Sequence, residues 1–264
     1  MSLQHPLSKS FYSLCRIVLF YIFSVVIFAT VSGFSKNFYL ADYLSILITS
    51  VLTFFLVLLF SKWDKLTLAD IGLKIQNTSL PRFISGFGIG ILLVIIQAAI
   101  ASNFAEIQFT LSADIPVMSI ISSLVLYFVV ALREELVFRS YALRNIANSI
   151  NSIFALIFIT IIFILEHVIS GMSWKMSIIG SGLGGILFGL AALKTKGLAL
   201  PLGIHFSWNF TQWMLGFKNN TGIWKEVVKK GHEAHAENIA LIGFVITMFI
   251  GISAILIIYK KQKI

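Results

Sequence analysis

Three clusters of polar side chains interrupt apolar stretches of the sequence, and they contain the residue types that hydrolysis of an amide requires. Glu134 and Glu135 follow a long apolar run, His167 lies in a second, and His205 and Asn209 lie in a third. A charge near the centre of a bilayer costs roughly 3 kcal/mol on insertion scales, so such groups usually face a polar interior and mark function. We therefore interpret the three clusters as walls of one buried site.

Helical spacing gives the two adjacent carboxylates different tasks. Glu135 and Arg139 are four residues apart, in the order that favours an ion pair on a helix. Glu134 points about 100° away from Glu135 on a helix, so its carboxylate is left free for chemistry. Considered alone, the charged segment from Arg133 to Arg139 could also be a cluster at the membrane interface that caps a span.

The other two clusters repeat the four-residue spacing. Phe163 and His167 lie on one helix face, and so do His205 and Asn209. Each pair alone is also typical of polar residues near a span end or of hydrogen bonds between membrane helices. Together with Glu134, however, the set could activate water: Glu134 and His167 would hold the water and share its proton. His205 and Asn209 would then donate to the oxyanion of a tetrahedral intermediate.

Membrane-spanning helices are predicted to position these residues. The chain is 58% hydrophobic and 12% charged, whereas a soluble domain is about 25% charged, so the composition excludes a soluble globular protein. A span needs about 20 apolar residues. The sequence predicts an all-α fold, a polytopic membrane helix bundle of about eight transmembrane helices: 11–34, 41–61, 83–102, 115–138, 151–170, 176–193, 198–217 and 239–259.

Three regions are expected along the chain. Residues 1–110 supply N-terminal transmembrane helices, 111–220 form the catalytic core, and 221–264 contain a loop and the C-terminal transmembrane helix. Small residues at helical spacing in the sixth span predict a close helix-packing face; they are Gly180, Gly184, Gly185 and Gly189. A phosphate loop would follow a strand, and no strand is expected here.

Basic residues predict the orientation of the bundle. The predicted loops on the N-terminal side hold 14 Lys and Arg residues and those on the other side hold six, which favours both termini in the cytoplasm. Four lysines in the last loop run against this prediction. The net charge of +9 does not indicate a nucleic-acid partner, because the basic residues are distributed over loops. The single cysteine, Cys15, excludes an internal disulfide.

In order along the chain, the three clusters resemble the motifs of a known family. Glu134-Glu135-Leu-Val-Phe-Arg139 is similar to its EExxxR motif, Phe163-Ile-Leu-Glu-His167 to FxxxH, and His205-Phe-Ser-Trp-Asn209 to HxxxN. The chain thus resembles the CAAX protease and bacteriocin-processing (CPBP, or Abi) family of intramembrane glutamic endopeptidases, which includes the type II CAAX prenyl endopeptidases. The resemblance covers about residues 115–212.

This resemblance implies an all-helical intramembrane protease in a multi-pass membrane protein. Carried over, Glu134 and His167 activate water, His205 and Asn209 bind the oxyanion, and the supporting residues are Glu135, Arg139 and Phe163. No cofactor is expected. The same side chains are suitable zinc ligands, so the sequence leaves a metal mechanism open, with Glu134, His167 and His205 as the ligands.

The resemblance leaves more than one function open. The first is cleavage of a hydrophobic substrate in the bilayer, either a prenylated CAAX-type peptide or a bacteriocin or pheromone leader, at a bacterial cytoplasmic membrane. The second is a non-catalytic protein of the same fold that acts in bacteriocin immunity or regulates a membrane partner. A proton-coupled transporter ranks below both, because it would be expected to show inverted repeats, and none is evident.

One feature of the predicted spans opposes a shared site. At about 1.5 Å rise per residue, Glu134 and His205 fall in the cytoplasmic half to the middle of the bilayer. His167 comes late in its span and is expected about 10 Å further out by the same rise. A tilted helix, a broken helix or a different span boundary must close this gap.

Overall fold

A computed structural model describes residues 6–38 and 40–262 of the protein. Long apolar helices make up most of it, because segments this hydrophobic satisfy their backbone polar groups internally only as helices or closed barrels. The helices are α1 (Pro6–Ser35), α2 (Ala41–Trp63), α3 (Ser79–Phe104), α4 (Val117–Arg139), α5 (Tyr141–Ser149), α6 (Ser152–Ile169), α7 (Trp174–Met176), α8 (Gly182–Thr195), α9 (Ala199–Met214) and α10 (Glu233–Ile258), with a π-helical segment, Ser177–Ser181, before α8. The predicted polytopic helical bundle is confirmed.

Helices occupy all eight predicted span positions, and one of them differs from the others. Within residues 6–38 and 40–262, seven segments are long and apolar enough to cross a membrane. The eighth, α9, has only 16 residues, short of the roughly 20 that a span needs. It packs against α3, α4 and α8, and most of its side chains are buried. Its neighbours therefore shield it from lipid, and it carries His205 and Asn209 into the bundle.

The fourth apolar segment continues beyond its predicted end at residue 138. Ser140 interrupts the helix between α4 and α5, with φ −87° and ψ −106°. The combined segment Val117–Ser149 is 33 residues long. At its end, the Ser149 hydroxyl donates to Ser13 Oγ on α1 over 3.1 Å, so α5 extends to the level at which α1 begins.

A small antiparallel sheet departs from the all-helical expectation, which included no strand. β1 (Ile107–Leu111) pairs with β2 (Trp224–Val228), in the register Ile107 to Val228 and Leu111 to Trp224. The two strands are more than 100 residues apart in sequence, so no local hairpin signal announces the pairing. The domain boundaries at 110 and 220 stay predictions.

Contacts between loops define two faces of the bundle. On the first, the Arg16 guanidinium pairs with Asp64, Arg82 donates to the Thr195 carbonyl over 2.9 Å, and Lys194 donates to the Gln262 carbonyl over 2.6 Å. The start of α1 and the end of α10 thus share this side, which we name the termini face. The opposite side carries β1 and β2, and we name it the sheet face.

Glycines set the closest helix approach, between α3 and α9. A Cβ placed on Gly90 would lie 2.5 Å from the Ile204 carbonyl oxygen and would collide with Ser207 Oγ. Gly203 faces α3 in the same way, since a Cβ there would meet the Phe83 carbonyl. A backbone carbonyl cannot rotate away as a flexible side chain can, so the two helices stay this close only with glycine at these positions.

Gly90→Ala should therefore destabilise the protein, by about 1–3 kcal/mol, which is the usual cost of overpacking. Gly88→Ala is the matched control, because Gly88 is exposed and a Cβ added there would meet no atom within 4 Å. Alanine favours a helix over glycine by about 1 kcal/mol, so the control should be neutral or stabilising. Thermal unfolding in detergent measures both, and equal transition temperatures would contradict the close approach.

Candidate active site

α4, α6 and α9 bring the predicted residues to one cavity. Its volume is about 660 Å³, and Glu134, His167, His205, Asn209 and Phe163 all line it. The wall is completed by apolar side chains from α8 and α10 and by polar ones from the sheet face. The three sequence clusters thus meet as the sequence analysis expected.

The break at Ser140 resolves the expected difference in depth. Glu134 lies 15 residues before Ser149, the end of α5, and His167 lies 15 residues after Ser152, the start of α6. The same number of residues thus separates each of them from the turn that joins the two segments, and both side chains line one cavity, so they lie at a similar depth. The 10 Å offset came from placing the end of the fourth span at residue 138.

An ion pair that the sequence analysis did not assign joins α4 to α6 beside the cavity. Arg133 Nη2 lies 3.2 Å from Glu166 Oε1, and the Arg133 guanidinium also lies 4.5 Å from the centre of the Phe28 ring. The pair fixes neighbouring turns of the helices that carry Glu134 and His167. Glu166 itself was the available signal, because a carboxylate within an apolar span needs a partner.

His205 is held between the two carboxylates of the first motif. Its Nδ1 lies 2.9 Å from Glu135 Oε1, and its Nε2 lies 3.6 Å from Glu134 Oε2. The imidazole also stacks on the Phe188 ring, with centroids 4.4 Å apart and an interplanar angle of 13°. Since a carboxylate can only accept, Nδ1 carries a proton that it donates to Glu135. The contact fixes the ring orientation and places Nε2 beside Glu134.

Behind His205, the expected ion pair between Glu135 and Arg139 is present, at 3.5 Å, and both side chains are buried. The Arg139 guanidinium lies 4.3 Å from the centre of the Phe163 ring and 5.4 Å from that of Phe188. Its Nε, Nη1 and Nη2 atoms make no hydrogen bond within the described chain. The charge is therefore surrounded by one carboxylate and three aromatic rings, since the Phe138 ring also lies 5.4 Å away.

Phe163 also orients the second histidine. His167 Nδ1 lies 2.9 Å from the Phe163 carbonyl oxygen, four residues earlier on α6. A carbonyl can only accept, so Nδ1–H is the donor, and in the neutral ring Nε2 carries the lone pair. His167 therefore has its accepting nitrogen available on the cavity wall.

The wall nearer the sheet face is polar. The Gln212 amide donates to the Gln97 side-chain oxygen over 3.2 Å. The Lys218 ammonium lies 5.2 Å from the centre of the Tyr127 ring; burial lowers its pKa, and the Glu134 carboxylate opposes that shift. Burial raises the pKa of the Glu226 carboxyl on β2. The amide of Asn209 has no hydrogen-bond partner in the part of the chain that the structure describes, so it is available to a ligand in the cavity.

The predicted glycine face on α8 and the segment before it serves two purposes. Gly185 and Gly189 pack on α6, where a Cβ would meet Thr160 and Leu156, respectively. Gly180 and Gly184 line the cavity instead, and a Cβ on either would make only ordinary contacts, at 3.5 Å or more. The expectation of a packing face thus holds for two of the four glycines, and the other two leave room beside the polar residues.

The side chains on the cavity wall do not form a metal-binding group. Among the residues that the structure describes, no set of three or more His, Cys, Asp and Glu side chains is arranged to hold an ion. Glu134, His167 and His205, the alternative zinc ligands, share the cavity but do not form such a set. The Nδ1 atom of His167 is hydrogen-bonded to the Phe163 carbonyl, and that of His205 to the Glu135 carboxylate. In the described chain, the arrangement of these three side chains therefore does not fit a zinc site.

Comparison with known proteins adds an independent finding. Residues 116–211 match the Rce1-like family model, described as type II CAAX prenyl endopeptidase Rce1-like. No curated protein matches the chain. The matched segment contains all three motifs and runs from just before α4 into α9. This match supports the resemblance of residues 116–211 to the CAAX protease family, and the seven long apolar segments indicate a multi-pass membrane protein.

Proposed function

We propose that the protein is an intramembrane endopeptidase that hydrolyses a peptide bond in a membrane-associated peptide or protein. The substrate would be a CAAX-type prenylated peptide or a bacteriocin or pheromone leader. One observation carries the proposal: Glu134, His167, His205 and Asn209 line one cavity inside the segment that matches the protease family. A CAAX-type protease acts on peptides or proteins at the bilayer, and the apolar wall of the cavity fits such a substrate.

Glu134 and His167 would activate the attacking water. The Glu134 carboxylate accepts one proton from the water as its oxygen attacks the scissile carbonyl carbon. His167 Nε2 accepts a hydrogen bond from the second water proton and orients the lone pair that attacks. Glu134 then delivers its proton to the leaving nitrogen as the carbon–nitrogen bond breaks, which restores the carboxylate and releases an acid and an amine.

His205 and Asn209 would stabilise the negative charge on the carbonyl oxygen. The Asn209 amide is a donor without a competing partner among the described residues. His205 already donates Nδ1–H to Glu135, so it must also carry a proton on Nε2 to donate to the oxyanion. Removal of one oxyanion donor typically costs about 10²- to 10³-fold in rate.

A non-catalytic role is the second candidate, and one observation favours it. Glu134 Oε2 lies 3.6 Å from His205 Nε2, a contact that would also stabilise a bundle without any reaction. In this role the protein would act in bacteriocin immunity or regulate a membrane partner, and the polar cluster would serve packing or binding.

Mass spectrometry of membrane-protein termini separates the two candidates. Cells with the wild type are compared with cells in which Glu134 is replaced by glutamine, after equal accumulation of the two proteins is shown. New N- or C-termini that require the wild type would establish proteolysis and name the substrate class. Identical termini, together with an intact phenotype, would contradict the protease and favour the non-catalytic role.

We propose that the protein lies in a bacterial cytoplasmic membrane with both termini in the cytoplasm. The sequence count of basic residues supports this orientation, and so does the position of both ends of the described chain on the termini face. The lipid bilayer is the expected environment, and no nucleic-acid partner is proposed.

Filling the cavity should block cleavage without unfolding the protein. Gly184 lines the cavity, and the nearest neighbour of a Cβ there is a Phe188 ring carbon at 3.5 Å. We expect Gly184→Leu to reduce the wild-type-dependent cleavage by about 10- to 100-fold, since methylene-sized misfits in a pocket already cost about 10- to 200-fold. Gly88→Leu, on an exposed helix surface, should cleave normally. Equal cleavage by both variants would contradict substrate binding in this cavity.

A further inference from the structure

In the described chain, the residues that line the cavity reach one face of the bundle and not the other. From Glu134 and His167 in the interior, its wall continues through Met172, Lys218 and Glu226 toward the sheet face. None of its lining residues in the described chain comes from the loops of the termini face. Any substrate that reaches the candidate site from water must therefore arrive at the sheet face.

The termini face is much the more basic of the two. Among the side chains that the structure describes, it carries ten Lys and Arg residues: Arg16, Lys62, Lys65, Lys74, Arg82, Arg144, Lys194, Lys196, Lys260 and Lys261. The sheet face carries six: Lys36, Lys175, Lys218, Lys225, Lys229 and Lys230. Arg133 and Arg139 belong to neither face, because both are buried in ion pairs inside the bundle. Without these two arginines, the termini face still carries more Lys and Arg residues than the sheet face.

Acidic residues increase the contrast. The sheet face holds six carboxylates, namely Asp42, Glu106, Asp114, Glu226, Glu233 and Glu237, whereas the termini face holds Asp64 and Asp70. Two of the sheet-face lysines are also paired, Lys229 with Glu106 and Lys175 with Glu237. The four lysines of the last loop, which opposed the predicted orientation, thus belong to a face with no excess of positive charge.

We propose that the cavity opens to the non-cytoplasmic side of the membrane and receives exported substrates. Basic loops stay in the cytoplasm, so the termini face is cytoplasmic and the sheet face is outside. The substrate would be an exported peptide, or an extracytoplasmic segment of a membrane protein, rather than a prenylated cytoplasmic protein. The inference of a substrate class rests on the proposed protease function; the direction of the opening does not.

The wall between the opening and the polar residues indicates what part of such a substrate it accepts. Met172, Met176, Phe217, Leu241 and Phe244 line this stretch, and large apolar side chains bind apolar segments. The exported peptide would therefore present a hydrophobic stretch next to the cleaved bond. A leader or signal remnant that is released at the outer half of the bilayer has this character.

Thiol labelling in intact cells tests the direction of the opening. Cys15, the only cysteine, is replaced by serine, and single cysteines are then introduced at three positions. Lys230→Cys probes the sheet face, Asn77→Cys probes the termini face, and Val130→Cys probes the cavity wall one helical turn before Glu134. Lys230 and Asn77 are exposed, and Val130 lines the cavity. A charged, membrane-impermeant thiol reagent is applied before and after permeabilisation.

We expect Lys230→Cys and Val130→Cys to react in intact cells, and Asn77→Cys to react only after permeabilisation. The proposal would be overturned if Asn77→Cys reacted in intact cells and Lys230→Cys reacted only after permeabilisation. This holds for any labelling of Val130→Cys, because the other two positions report the orientation of the faces directly. Labelling requires no turnover. An inward opening would therefore refute the exported substrate alone, whereas an outward opening without new protein termini would refute the protease alone.

Discussion

We expect Glu134→Gln to abolish peptide cleavage while the protein still folds and accumulates in the membrane. Glutamine keeps the size of the side chain and one accepting oxygen, but it cannot take a proton from water. Loss of a positioned general base typically costs about 10²- to 10⁴-fold in rate. The measurement is the yield of substrate termini that depend on the wild-type protein, normalised to the amount of protease in the membrane.

Glu106→Gln is the matched control for this prediction. It makes the same chemical change in a carboxylate outside the cavity, where Glu106 pairs with Lys229 across the small sheet. If Glu106→Gln cleaves the substrate fully and Glu134→Gln does not cleave it, the loss of cleavage is due to the carboxylate in the cavity. Comparable cleavage by both variants, at equal accumulation, would show that Glu134 is not the base.

Much of the candidate site was predictable because of the cost of polar groups in lipid. A carboxylate or an imidazole in an apolar span needs a polar environment, so Glu134, His167 and His205 had to find one another or other polar partners. Helical spacing then predicted the pair of Glu135 with Arg139. These arguments depend on residue type and local spacing, which the sequence contains in full.

The remaining features depend on long-range geometry. The predicted end of the fourth span at residue 138 puts Arg139 in the loop that follows, because arginines near the end of an apolar run usually lie at the interface. The structure instead encloses Arg139 between aromatic rings inside the bundle, whereas Arg144, farther along on the termini face, donates to the Ala192 carbonyl over 3.1 Å. The fourth segment therefore continues through the break at Ser140. Its true length brings Glu134 level with His167.

The second large effect should come from the buried pair of Glu135 and Arg139. We expect Glu135→Gln and Arg139→Met each to destabilise the protein by about 3–5 kcal/mol, because each leaves a buried charge without its counter-charge. The double variant should be more stable than the sum of the two losses predicts, since it removes both charges together. Unfolding free energies of the four proteins in detergent measure this coupling.

An exposed ion pair supplies the comparison for this cycle. Glu106 and Lys229 lie 2.8 Å apart, and both are largely in solvent, so Glu106→Gln and Lys229→Met should each change stability by no more than about 0.5 kcal/mol. If the double variant instead loses as much stability as the two single variants combined, Glu135 and Arg139 do not depend on each other for stability.

Cleavage by the double variant separates stability from positioning. In the wild type, Glu135 serves two partners: it balances the charge of Arg139 and accepts a hydrogen bond from His205 Nδ1–H. The glutamine in the double variant keeps an accepting oxygen for Nδ1, but it carries no negative charge beside the His205 ring. We therefore expect the double variant to recover much of its stability and little of its cleavage. Recovery of both together would mean that Glu135 acts on the reaction only through the fold.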